Sequence, residues 1–272
     1  MPFTDHMQRN RFELKYIIDE RRAHGIRNFI RPYLVHDRFA RPELGWAYPI
    51  YSVYLDTPSL DLYNATVYGH KNRFKLRARY YDDRPEGPVF FEIKRRVNDV
   101  ILKDRAAVHR SSVKRLLRGA APGHDDLLNP ADPAAYAALR EFCRLAGCLG
   151  ATGRTIVAYT REAWNARDND DLRITFDRKI AGAWFEDRPP LAEALRIDRP
   201  WVFPPIDNGV GVVLELKFTG CYPRWMEQLA LSFDLYRVCM AKYVNCVMAM
   251  GPRDGGLRHE RWVARQRREV LT

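Results

Sequence analysis

Several stretches of the chain alternate polar and apolar residues with a period of two. Phe12, Leu14 and Tyr16 alternate with Arg11, Glu13 and Lys15, which predicts a two-faced strand over 11–18. Asp19 then caps a helix reaching about Leu34. Further strands are predicted over 48–56, 71–81, 89–97, 100–107, 152–164, 172–180 and 210–218. Asn98-Asp99 suits a tight turn, and Asp168-Asn169-Asp170 turns a later hairpin. Helices are predicted after Thr57-Pro58-Ser59 and over 111–117, 134–146, 224–230 and 235–248, with a Pro-rich loop around Pro189-Pro190 and Pro204-Pro205. No repeat of fixed period is present. Antiparallel strands with helices between them indicate an α+β fold.

The polar faces of these strands are unusual. Lys71, Arg73, Lys75, Arg77 and Arg79 share one face, opposite Phe74, Leu76, Ala78 and Tyr80. Glu92, Lys94 and Arg96 share another, as do Lys103 with Arg105, Tyr159 with Arg161, Arg173 with Thr175 and Asp177, and Glu215 with Lys217. An antiparallel sheet with one wet face is the ordinary alternative. A wet face would carry Thr, Ser, Gln and mixed charge, whereas like charges on neighbouring strands repel. A bound multivalent anion would relieve that repulsion. The pattern therefore points to a ligand-binding basic face, which a closed antiparallel sheet would gather around the ligand with its apolar face outward under helices.

Charge sharpens this picture. The chain of 272 residues has a formal net charge of +11, which calls for an anionic partner. Residues 71–118 carry fifteen Lys or Arg against six Asp or Glu, so the excess belongs to the patterned strands. The length suits one domain over 1–252, with a basic, helical tail over 253–272. The longest stretch without a charged residue is twelve residues, Leu44 to Leu55, too short for the roughly 20 a membrane helix needs. No apolar leader is visible at the N-terminus, and the five cysteines include no CxxC pair. Both features lead to an expectation of a cytoplasmic protein with free thiols and no zinc. The seven histidines are scattered and are not read as catalytic. Asp56 and Asp61 are read as turn and cap residues, and Trp164, Trp184 and Trp201 as packing. Tyr80 and Tyr81 are also read as packing, with contact to a nucleobase at the edge of the basic face as the alternative.

Arg forks match phosphate oxygens in pairs and Lys supplies point charge. A triphosphate also brings a divalent ion, Mg²⁺ or Mn²⁺, which takes carboxylate and phosphate oxygens. Glu13, Glu92 and Glu215 are the candidate ligands, each two residues before a Lys on its own strand face. Phosphoryl transfer needs positioning and neutralisation more than a protein nucleophile. No Walker motif, GxSxG or HExxH occurs.

The stretches RFELKY, YLDTPSLDLY, NRFKLRARYY, FFEIKRRVNDVILKDRA, YTREAW, LRITFD, LELKF and AKY occur in an order that resembles the VTC domain. This is the polyphosphate polymerase domain of the vacuolar transporter chaperone complex, a member of the triphosphate tunnel metalloenzymes. The resemblance implies an eight-stranded tunnel in which the terminal phosphate of ATP joins a polyphosphate chain, usually with Mn²⁺. It implies that Lys15 contacts phosphate and that Arg77 and Arg79 clamp the triphosphate. Lys94 and Lys103 would line the tunnel, and Arg161 and Arg173 would bind from the opposite wall. Tyr159 would hydrogen-bond there, Glu215 would hold the metal, and Lys242 would lie near the product end. The alternation itself adds Lys75, Arg96 and Lys217 to the phosphate-binding set.

Two departures stand out. Tunnel hydrolases often begin ExExK, whereas this chain has Arg11-Phe12-Glu13-Leu14-Lys15, which favours the polymerase branch. The family often has Ser before the late Lys, and here it is Ala241. The expected partners are ATP and polyphosphate, with no nucleic acid and no membrane span in the chain itself. A membrane partner and the oligomeric state stay open. A triphosphatase and a non-catalytic polyphosphate or inositol-phosphate sensor are the rival functions.

Overall fold

The computed structural model of the chain describes residues 11–82, 84–98, 100–167, 171–185, 202–206 and 211–251. The tail expected over 253–272, the Pro189-Pro190 loop, Trp201 and the Asp168–Asp170 turn lie outside the described residues. The strands are β1 (Arg11–Ile18), β2 (Val35–His36), β3 (Ala47–Asp56), β4 (Asn72–Tyr80), β5 (Val89–Val97), β6 (Val100–Val108), β7 (Thr152–Asn165), β8 (Leu172–Trp184) and β9 (Val212–Thr219). The helices are α1 (Glu20–Ile30), α2 (Asp61–Val67), α3 (Arg110–Leu117), α4 (Pro133–Leu149), α5 (Arg224–Ser232) and α6 (Lys242–Met250). Asp19 caps α1 as expected, its carboxylate accepting from the Arg22 N–H at 2.6 Å. None of the helices in the described residues is long and apolar enough to cross a membrane.

The α+β class holds, and all pairings in the large sheet are antiparallel. The expected closed barrel does not. Strand order runs β1-β9-β8-β7-β3-β4-β5-β6, with β2 on β7, and β1 and β6 share no backbone ladder. The sheet is nevertheless rolled until its two edges face each other. Cα atoms of β1 and β6 approach within 8 Å, and Lys94 of β5 reaches Glu13 of β1 at 3.1 Å. The free side of β1 meets the segment before α6 instead: Tyr16 bridges to Arg237, and the Val238 N–H donates to the Lys15 carbonyl at 2.8 Å. That pairing explains why residues 235–241 are not the first turns of a helix. Their backbone groups are satisfied by a strand edge, and the helix starts only at Lys242.

Two irregularities bend the sheet. The β3–β7 register shifts between Tyr54 and Leu55, and the β7–β8 register shifts between Ala158 and Thr160. Bulges of this kind increase local twist and re-aim side chains.

Apolar layers hold the rolled sheet on both sides. Helices α3 and α4 bury Val113, Leu116, Leu139 and Phe142 against Leu76, Tyr80, Phe91 and Ile93 on the outside. Helices α1 and α5 bury Ile26, Ile30, Met226 and Leu229 against Tyr16, Leu214 and Phe176. Helix α6 packs on the other face, placing Tyr243, Val244 and Val247 among Tyr54, Val157 and Ile180. It lies so close to β8 that a Cβ on Gly182 would stand 2.6 Å from the Cys246 Cβ. Only glycine fits there. One part of the inner face is thus filled by an apolar plug, and the remainder keeps its charge.

Candidate anion-binding site

The inner positions of β4, β5 and β6 meet because their register is regular. Arg77 lies opposite Glu92, Glu92 opposite Arg105, and Lys75, Lys94 and Lys103 form a row straight across the three strands. Glu92 has no solvent exposure and sits among four cations. Its carboxylate is 2.6 Å from Arg77 Nε, 2.7 Å from Lys103 Nζ, 3.4 Å from Arg105 Nε and 3.9 Å from Arg79 Nε. Burial alone would raise this carboxyl, but Arg77, Arg79 and Lys103 outweigh it and hold it well below the usual carboxylate range. Arg77 also donates to the Tyr54 hydroxyl at 3.2 Å, and Arg79 donates to Ser52 Oγ at 3.4 Å. These β3 partners fix the two guanidinium planes.

A second cluster comes from β7, β8, β9 and α6. Arg161 forks onto Asp177 with two bonds of 2.7 Å and reaches Glu215 at 3.3 Å. Lys242, the first residue of α6, is 2.6 Å from both Asp177 and Glu215. Lys217 lies 2.6 Å from Glu215, and Thr175 donates to it at 3.4 Å. Burial opposes the ionisation of Glu215, yet Lys217, Lys242 and Arg161 hold its carboxyl well below the usual range. Burial likewise opposes the charge on Lys242, and Asp177 and Glu215 raise its pKa above the ordinary value.

Tyr159 joins the two clusters. Arg79 donates to its hydroxyl at 3.5 Å, and Arg161 and Lys242 stand over its ring at 5.3 and 5.0 Å.

A third group lies at the seam between the sheet edges. Glu13 pairs with Lys15 and Lys94, both at 3.1 Å, and Lys15 also donates to the Met240 carbonyl at 2.8 Å. Lys75 belongs to this group and is pushed down to about 7 by burial and by Lys94, Lys15, Arg73 and Arg77. Lys103 is also lowered to about 7, by burial and by Arg77 and Arg79, against the pull of Glu92. A bound anion would favour the charged form of both lysines.

Most of the expected phosphate-binding residues therefore converge: Lys15, Lys75, Arg77, Arg79, Lys94, Lys103, Tyr159, Arg161, Lys217 and Lys242. Two stand apart. Arg173 is held at the end of β8 by Asp37 at 2.8 Å and the Tyr48 hydroxyl at 3.0 Å. Arg96 donates to the Asn98 carbonyl at 2.7 Å, at the β5–β6 turn. The three candidate metal ligands do not form one centre either. Glu92 is enclosed by its own cations. Glu215 is close enough to Glu13 to work against its ionisation, while Lys94 and Lys15 hold the Glu13 carboxyl well below the usual range despite burial. Among the described residues, no three His, Cys, Asp or Glu side chains gather as a metal site would require.

Asp177, Ser52, Tyr54 and Arg105 complete the site and are absent from the expected set. Asp177 shares its strand face with Arg173 and Thr175, so alternation alone could have supplied it. Asp56 confirms its structural reading and extends it. It accepts from the N–H groups of Thr57, Leu62 and Tyr63 and from the Tyr243 hydroxyl at 2.7 Å. That last bond ties α6 to the start of α2. Ala241, where the family often has Ser, is the N-cap of α6 and gives that helix no side-chain hydrogen bond.

No curated protein matches the chain. Among solved structures, a protein from Hippeastrum, HpAC1, reported with a dominant triphosphatase activity, is similar at 12% identity and a TM-score of 0.46. The match covers 87% of this chain and 94% of that one. The family profile of the VTC domain matches residues 10–251. That span contains every strand and helix of the described structure, and the chain belongs to the VTC domain family.

Proposed function

We propose that the protein transfers the terminal phosphate of ATP to a growing polyphosphate chain. The observation that carries this reading is the excess of buried, mutually facing cations. Arg77, Arg79, Arg161 and Lys242 converge on one interior from two strands and a helix, already oriented by Glu92, Asp177, Glu215, Tyr54 and Ser52. Preorganised cations of this kind stabilise charge that spreads over the phosphoryl oxygens in the transition state. A terminal oxygen of the acceptor chain attacks the γ-phosphorus in line. The bond to the β,γ-bridging oxygen breaks, and ADP departs with that oxygen. Arg77 and Arg79 neutralise the donor, and Arg161 and Lys242 hold the opposite side.

The family implies a divalent metal. Mg²⁺ and Mn²⁺ keep few protein ligands at such sites and take the rest from phosphate and water. Glu13 and Glu215 would hold it, and because Lys217 and Lys242 already stand 2.6 Å from Glu215, the ion would share that carboxylate with them. When bound, the ion would shield phosphate charge and polarise a phosphoryl oxygen.

The test is to incubate the protein with ATP and Mn²⁺, with and without a short polyphosphate primer, and resolve ADP, phosphate and polymer. ADP with lengthening polymer is the expected outcome. Free phosphate without polymer would replace this reading with a triphosphatase. Polyphosphate binding without turnover would replace it with a sensor.

A further inference from the structure

Three kinds of surface border the charged interior. On the α6 side it is closed by Tyr243, Val244 and Val247. Along the seam it is bordered by lysines. Beside Arg79 it is bordered by aromatic rings. Phe90 lies directly opposite Arg79 in the β4–β5 pairing and shares the inner face with Glu92, one step of about 7 Å along the strand. Tyr81 meets Phe90 edge-on at 5.8 Å and Tyr48 at 6.1 Å. The Arg105 guanidinium stacks over Phe90 at 3.6 Å, and its side chain is 39% exposed. Phe90 and Tyr81 are themselves only half-buried. Tyr80, by contrast, has no exposure and is a packing residue of the outer core.

We infer that Tyr81, Phe90 and Arg105 form a stacking platform for the base of a nucleoside triphosphate whose phosphates lie on Arg79 and Arg77. The inference rests on the reading of ATP as donor and adds the place and manner in which its nucleoside is held. Flat rings and a guanidinium plane bind any base through its π-face. The platform carries no carboxamide to read a base edge, so adenine, guanine and cytosine nucleotides should bind within a few-fold of one another.

The test compares a non-hydrolysable ATP analogue with inorganic tripolyphosphate by calorimetry, in the wild-type protein and in Tyr81→Leu and Phe90→Leu. A thermal melt checks that each variant is folded. Stacking losses of the usual size predict that each substitution weakens the nucleotide about tenfold and leaves tripolyphosphate within about twofold. Equal loss for both ligands would overturn the platform, because the rings would then serve the phosphate clamp or the fold. Unchanged binding of both would overturn it as well and leave the proposed function standing. A wild-type protein that binds neither ligand would overturn the proposed function itself.

Discussion

The two clusters inside the rolled sheet use the same residue types to different ends. Glu92 is a single carboxylate facing four cations. Asp177 and Glu215 are two carboxylates facing three cations, Arg161, Lys217 and Lys242. The second cluster is almost balanced within itself and ties α6 to β7, β8 and β9. The first has a large surplus of positive charge and relatively exposed members in Lys103 and Arg105. On the proposed function, the contrast separates a cluster that mainly frames the site from one that mainly receives the anion. Positive charge alone does not mark the place where an anion binds, and the uncompensated part of it does.

The largest effect should come from attacking the frame. Asp177→Ala takes from Arg161 its forked partner and leaves Arg161 and Lys242 to share Glu215 with Lys217, and breaking a buried pair costs about 3–5 kcal/mol. Thermal unfolding should shift downward by about 10 °C or more, and added tripolyphosphate should restore part of the loss. A melt that does not move would show that the second cluster is not the frame.

Attacking the receptor should spare the fold and remove the chemistry. Arg77→Ala should lower polymer formation from ATP by about 10²–10³-fold, the usual effect of deleting one preorganised donor. Its melting temperature should fall by less than that of Asp177→Ala. Turnover within threefold of wild type would remove Arg77 from the site.

Protons offer a third distinction. Lys75 and Lys103 are lowered to about 7 in the free protein, against about 10.4 in an unfolded chain. Between pH 7 and 10 the unfolded state therefore binds more protons, so these groups add stability as pH rises through that window. A bound polyanion reverses the balance by recharging both lysines. Tripolyphosphate binding at pH 8 should take up about one to two protons, and affinity should fall as pH rises from 6 to 9. Calorimetry in buffers of different ionisation enthalpy measures the uptake. No uptake would place the ligand away from the lysine row.

The smallest effect tests the orientation of the clamp. Tyr54→Phe removes the hydroxyl that receives Arg77, a change worth about 1 kcal/mol. It should raise the KM for ATP a few-fold with little change in melting temperature. An unchanged KM would mean that Glu92 alone sets the guanidinium.

Much of this site is legible in the chain because strand alternation is local. Arg77, Arg79, Glu92, Lys94, Lys103, Arg161, Glu215 and Lys217 share the inner face for the reason the pattern suggests. What alternation cannot supply is which neighbours meet. Arg173 sits on the same face as Thr175 and Asp177, yet its neighbours at the strand end are Asp37 and Tyr48. Arg96 lies one inner step from Lys94 and is turned back onto the Asn98 carbonyl. Closure of the sheet depends on whether two strands far apart in the chain exchange hydrogen bonds, and no local periodicity records that. The segment over 235–241 misleads for a similar reason, because its helix-forming residues are drawn out along the edge of β1.

The unlatched seam has a topological consequence. In a sheet closed by hydrogen bonds, a polymer can reach the interior only by presenting an end. Here β1 and β6 share no ladder, and the Glu13–Lys94 ion pair spans the gap between β1 and β5. A partly exposed pair of this kind is worth about 0–1 kcal/mol. On the proposed function, the interior is therefore bounded on one side by side-chain contacts and by the segment before α6 lying on the edge of β1, contacts that can part without breaking a strand ladder.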